Sequence, residues 1–188
     1  MTTTDRRHFT PFQRLLHWLM AICIIAMLFI GVGMVSTVAP EYLTLIDIHK
    51  PLGLAILALA ILRLAVRFTS GAPALPRDLP EPMRLAAHLS HYALYGLMIA
   101  MPLVGWAMVS AGGYPVTIPG GLRLPALVGQ SDSMQATLRT LHVTGAFVFF
   151  ALILAHLAAA LFHALVRRDG VFQAMSGGLV PPESAPAE

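Results

Sequence analysis

Of the eight histidines in this chain, His142 and His156 stand in an uninterrupted apolar run, residues 141–166, that contains no charged side chain. Fourteen residues is close to a whole number of helical turns, so both imidazoles project from one face, about 21 Å apart along the axis. Imidazole is the commonest protein metal ligand, and an ionisable group inside a bilayer is a functional hypothesis by default. Two rings at two depths need two partners. The chemistry this suggests is a pair of metal centres stacked across a membrane, with His17 and His49 as the other candidate ligands.

The elements that must position them follow from composition. The chain has 188 residues, 57% apolar and 11% charged, with mean hydropathy +0.74. That charged fraction is under half of what a soluble domain carries. Four apolar stretches, 15–38, 48–68, 85–110 and 141–166, each approach the roughly 20 residues needed to cross a hydrocarbon core. The expectation is an all-α integral membrane four-helix bundle in one domain, 8–168, with helices near 11–38, 42–68, 84–110 and 136–168. Thr10 is a candidate N-cap, with Pro11 at the first helical position. The second helix is predicted to start near Glu41, with Pro51 kinking it beside His49. Residues 70–82, with Pro73, Pro76, Pro80 and Pro82, read as a stiff linker. Residues 111–130, rich in Gly and Pro, read as an ordered or semi-ordered loop. The tail 169–188, with Pro181, Pro182 and Pro186, reads as disordered.

Charge placement sets the orientation. Arg6, Arg7, Arg14, Arg63, Arg67, Arg77, Arg84, Arg167 and Arg168 fall at one end of the predicted bundle, and Lys50, Arg123 and Arg139 at the other. By the positive-inside rule both termini are cytoplasmic. The basic residues therefore report topology in a lipid bilayer, not nucleic-acid binding. Cys23 is the single cysteine, which excludes an intrachain disulfide, a cysteine-held iron-sulfur cluster and a C-x-x-C-H haem attachment.

With this topology depth selects partners: His49 matches His142 near the outer face, and His17 best matches His156 nearer the cytoplasm. Each pair offers two imidazoles across an interhelical gap, the geometry of an axially bis-histidine-ligated haem. Gly53 and Gly145, one turn from His49 and His142, could make room for a porphyrin. His163 is an alternative to His156, seven residues further on the same face; choosing it would put the centres about 31 Å apart. His88 and His91 are candidates for a haem edge or a quinone head group, and Arg63, an i, i+4 neighbour of Arg67, for a haem propionate. Trp18 and Trp106 fit an aromatic belt, and His8 a solvated position. Lys50, Arg123 and Arg139 could form a positive outer funnel for an anion. A histidine-based metal transporter or a non-haem di-iron enzyme is the competing class. It lacks supporting carboxylates, and only His88 and His91 approach an HxxH box.

The strings His17-Trp18, Ile48-His49-Lys50-Pro51-Leu52-Gly53, Leu62-Arg63-Leu64 with Arg67, Ala87-His88-Leu89-Ser90-His91, Leu141-His142 and Ala155-His156-Leu157-Ala158-Ala159-Ala160 resemble the bacterial cytochrome b561 family over residues 8–168. Pro51 is a mild departure from it. The resemblance implies a four-helix protein of the bacterial inner membrane with two non-covalent b-type haems on His17, His49, His142 and His156. It also implies electron transfer from a periplasmic donor to membrane quinone, ubiquinone being the expected acceptor. The family includes a superoxide:ubiquinone oxidoreductase, so superoxide is one candidate donor. His163 matches a histidine of that member and is a candidate for its quinone site. The alternative is a cytochrome b subunit fed by a periplasmic dehydrogenase or hydrogenase.

Overall fold

The computed structural model describes residues 8–37, 40–118 and 120–178. Arg6, Arg7, Val38, Pro119 and the tail 179–188 lie outside the described residues. Among the described residues four helices are long and apolar enough to span a membrane: α1 (Pro11–Ser36), α2 (Glu41–Ser70), α3 (Glu81–Ala111) and α4 (Asp132–Phe162), the last continued by a π-helical turn, His163–Arg167. A short helix, α5 (Val171–Ser176), follows.

Local chemistry sets the helix starts. Thr10 accepts a hydrogen bond from the Gln13 N–H at 3.2 Å, and the Gln13 side chain accepts from the Thr10 N–H at 3.0 Å. This reciprocal cap, worth about 1 kcal/mol, begins α1 with Pro11 at its first position. α3 begins three residues before the predicted Arg84, taking Glu81 and Pro82 from the expected linker. A first-turn proline has no intrahelical N–H bond to lose. α4 begins at Asp132, four residues earlier than predicted, because Ser131 caps it through the Met134 N–H and Asp132 suits the positive helix end. α2 starts at Glu41 as expected and runs unbroken through Pro51.

α1 packs along α2, α2 along α3, and α3 along α4. The small core consists of Met20, Ile24, Ile56, Ala60, Met98 and Phe149. Its register is informative. Phe149 is seven residues from both His142 and His156, Ile56 seven after His49, and Met98 seven after His91, so each lies on its histidine's face. The core is thus an apolar layer between two histidine levels. The opposite faces carry exposed Phe29, Phe68 and Phe147, a pattern suited to lipid, which is as apolar as the side chains that meet it.

The 111–130 connection is ordered. Strands β1 (Val116–Thr117) and β2 (Arg123–Leu124) pair antiparallel, the Trp106 indole donates to the Pro125 carbonyl at 3.1 Å, and the Leu127 N–H donates to Ser110 Oγ. At the other end the expectation of a disordered tail from residue 169 needs correction. Arg168 adopts a left-handed conformation (φ 52°) and its N–H closes on the His163 carbonyl at 2.8 Å. That turn sends α5 back onto α1, where the Phe9 N–H donates to the Ala174 carbonyl and Trp18 Nε1 to that of Met175. The proline-rich composition that suggested disorder begins only at residue 181.

Candidate metal centres

The structure brings His17 of α1 to His156 of α4, ring centroids 6.3 Å apart, and His49 of α2 to His142 of α4, 6.1 Å apart. An imidazole nitrogen binds a first-row metal at about 2 Å, with the ring centre roughly 1 Å behind it. Two rings on opposite sides of one iron therefore have centroids about 6 Å apart. Edge-to-face packing alone tolerates this separation too, so the polar atoms add a second test. Nδ1 of His49 and of His142 are buried without a hydrogen bond of ordinary geometry, although the Met101 backbone lies near enough to act on His142. Among the described residues, no three His, Cys, Asp or Glu side chains converge tightly enough to hold a bare ion. The pairs suit a flat group held between two rings better than an ion in a cage.

The inner level holds more than the depth argument supplies. His91 of α3 places its ring 5.5 Å from that of His156, nearer than His17. Arg63 acts electrostatically on His17, His91 and His156. Its Nε donates to Tyr95 Oη at 3.3 Å, while Nη1 is buried without a partner. An unpartnered buried guanidinium N–H fits a carboxylate such as a haem propionate. His88, three residues before His91, is exposed on α3.

A Cβ on Gly145 would meet Met101 Sδ at 2.6 Å, at the α3–α4 interface, and one on Gly53 would make an ordinary 3.7 Å contact with Met27. The glycine that abuts a candidate ligand is Gly105, where a Cβ would lie 3.1 Å from His142 Cε1. Nothing along α3 in the sequence reveals which residue of α4 it faces.

His163 is engaged elsewhere. Asp169 Oδ2 accepts from His163 Nδ1 at 2.7 Å and from Arg167 Nε at 2.9 Å, Asp169 Oδ1 accepts from the Val171 N–H, and Arg167 also reaches Asp78 of the α2–α3 linker at 2.8 Å. Burial pushes the Asp169 carboxyl up, but the hydrogen bonds from Arg167 and His163 outweigh it and hold the group below its usual 3.8. A carboxyl lowered on folding stabilises the fold above its unfolded pKa and loses that contribution as pH falls through the folded one. The clasp should therefore be intact at neutral pH and open only below about pH 4. Hydrogen exchange of residues 163–176 across pH 3–7 checks this; opening already at pH 5–6 would contradict it.

At the outer end Lys50, Arg123 and Arg139 are matched in number by Glu41, Asp47 and Asp132. The funnel expected from the cations alone thus carries no net charge. Arg123 lines a cleft of about 410 Å³ with Trp106, Ser110 and Tyr114.

The prokaryotic cytochrome b561 family matches residues 8–178. Cytochrome b561 homolog 2 of Escherichia coli (strain K12) is 29% identical over 164 residues, covering 86% of this chain and 87% of that protein. Cytochrome b561 homolog 1 of the same strain is 27% identical, covering 89% and 96%. A probable superoxide oxidase, CybB, of Yersinia pestis is 31% identical over 129 residues, covering 68% and 72%. A four-helix membrane bundle with histidines paired between its helices and a family match over nearly all its length has one reading: this chain belongs to the prokaryotic cytochrome b561 family, electron-transfer proteins of the bacterial inner membrane that bind b-type haem.

Proposed function

We propose that the chain carries two b-type haems, an outer one between His49 and His142 and an inner one between His17 and His156, and passes electrons from a periplasmic donor to membrane quinone. The observation that carries this reading is the two imidazole pairs, 6.1 and 6.3 Å between centroids, 14 residues apart on one face of α4. Haem supplies a one-electron ferric/ferrous couple. The protein supplies the rest. His49 with His142, and His17 with His156, would hold the haems from both sides, which would disfavour dioxygen chemistry at the iron. Arg63 Nη1, buried without a partner, would neutralise a carboxylate of the inner haem. Phe149, Met98 and Ile56 keep water from the layer between the two levels. His163, held at Nδ1 by Asp169, presents Nε2 toward a quinone at the cytoplasmic end, with His88 as a further contact.

Superoxide is the donor best supported, through the likeness to the Yersinia protein. The balance is two superoxide anions oxidised to two dioxygen molecules, with quinone taking two electrons and two protons to quinol. Because the outer end has no net charge, encounter relies little on long-range steering. Mixing the oxidised protein with superoxide in a stopped-flow instrument should give haem reduction faster than a buffer control, with a weak dependence on ionic strength. Reduction no faster than the control rejects superoxide, and a co-purifying stoichiometric redox subunit would then identify the dehydrogenase-linked alternative.

A further inference from the structure

The inner level contains three imidazoles, and an iron has two axial positions. His91 is the ring without an assigned place. Its Nδ1 lies 2.6 Å from the Ala87 carbonyl oxygen. A carbonyl only accepts, so Nδ1 carries the hydrogen, and the neutral ring keeps its lone pair on Nε2. Histidines that bind metals through one nitrogen typically donate the other N–H to a backbone carbonyl or carboxylate in this way. His91 is therefore already in the tautomer of a ligand, with its Nδ1–H held by the Ala87 carbonyl. No hydrogen bond among the described residues fixes the His17 ring.

The helices point the same way. α3, which carries His91, packs on α4 more extensively than any other pair of elements packs, whereas α1, which carries His17, makes no extended contact with α4. The His91–His156 relation is set by a continuous interface. The His17–His156 relation is carried through α2 and α3. Relative motion of α1 against α4 moves His17 and leaves His91 in place.

We propose that His91 is a reserve axial ligand of the inner centre, able to take the position of His17 opposite His156. This rests on the reading that His17 and His156 hold the inner haem. It makes coordination there tolerant of displacement of α1, so that the iron stays six-coordinate and closed to small ligands while the bundle moves.

The test uses the purified haem-loaded protein and reads haem content, optical bands and low-temperature electron paramagnetic resonance. His17→Ala should keep both haems low-spin, with the inner signal shifted toward greater anisotropy, because the His91 and His156 planes are 86° apart against 66° for His17 and His156. His17→Ala/His91→Ala should leave one low-spin haem and turn the other high-spin or lose it. Loss or a high-spin inner haem in His17→Ala alone, or a low-spin one in the double variant, overturns the proposal. His156→Ala separates the two levels of inference: two intact low-spin haems in that variant would sink the inner-haem reading itself. Should His17→Ala not fold, the reduced His91→Ala protein, with all four assigned ligands present, decides. It should bind carbon monoxide faster than the unmodified protein, and equal rates overturn the proposal.

Discussion

His156→Ala should purify with about half the haem of the unmodified protein, and His142→Ala with the other half. The two sites are about 21 Å apart at the helical rise, and effects at sites this distant with no shared partner are usually additive. A redox titration that needs two components in the unmodified protein should need one in each variant, with the surviving component unchanged. The double variant should be colourless. Electron transfer from donor to quinone should vanish in either single variant, because each removes one of two stations in series. His163→Ala is the discriminating control. Its ring is held by Asp169 in the π-helical turn at the end of α4, so that variant should keep both haems. A full haem complement in His156→Ala together with loss in His163→Ala would move the inner centre one level toward the cytoplasm.

Much of the architecture is legible in the sequence because membrane spans are governed by local rules. Length and apolarity give the helices, and Thr10 and Pro11 give the start of α1. Matching depths along four helices brings His17 to His156 and His49 to His142, and the structure unites the same rings. What the sequence leaves hidden is rotational. Gly105 and Gly145 both lie on apolar stretches, but only the α3–α4 packing reveals that one faces His142 and the other Met101. His91 shares a short motif with His88, and nothing in that motif says which of the two meets α4; the structure brings the His91 ring to His156, although His88 and His91 both stay exposed. The Asp78–Arg167–Asp169–His163 clasp spans a loop and two turns, and no periodicity encodes such a contact. Helix starts shift by three or four residues where Pro82, inside the expected linker, and Ser131, just past the expected loop, act as initiators.

Gly105→Val tests the outer centre without touching a candidate ligand. The added Cβ would stand 3.1 Å from His142 Cε1 and 3.4 Å from its Nδ1, and valine adds two methyl groups that the helix confines to few rotamers. Overpacking of this kind costs about 1–3 kcal/mol, and part of that cost can be relieved by turning the His142 ring. A ring turned away from His49 cannot share an iron with it. The expected result is loss of the outer haem or its conversion to a five-coordinate high-spin form, with the inner haem unchanged. Gly96→Val is the matched control: it lies on the same helix, carries the same loss of helix propensity, and its Cβ would meet nothing within 4 Å. Gly105→Ala should fall between, since a few tenths of an ångström of ring movement accommodate one methyl. An intact low-spin outer haem in Gly105→Val, at full occupancy, would show that His142 tolerates displacement no axial ligand can, and its assignment to the outer centre would fail.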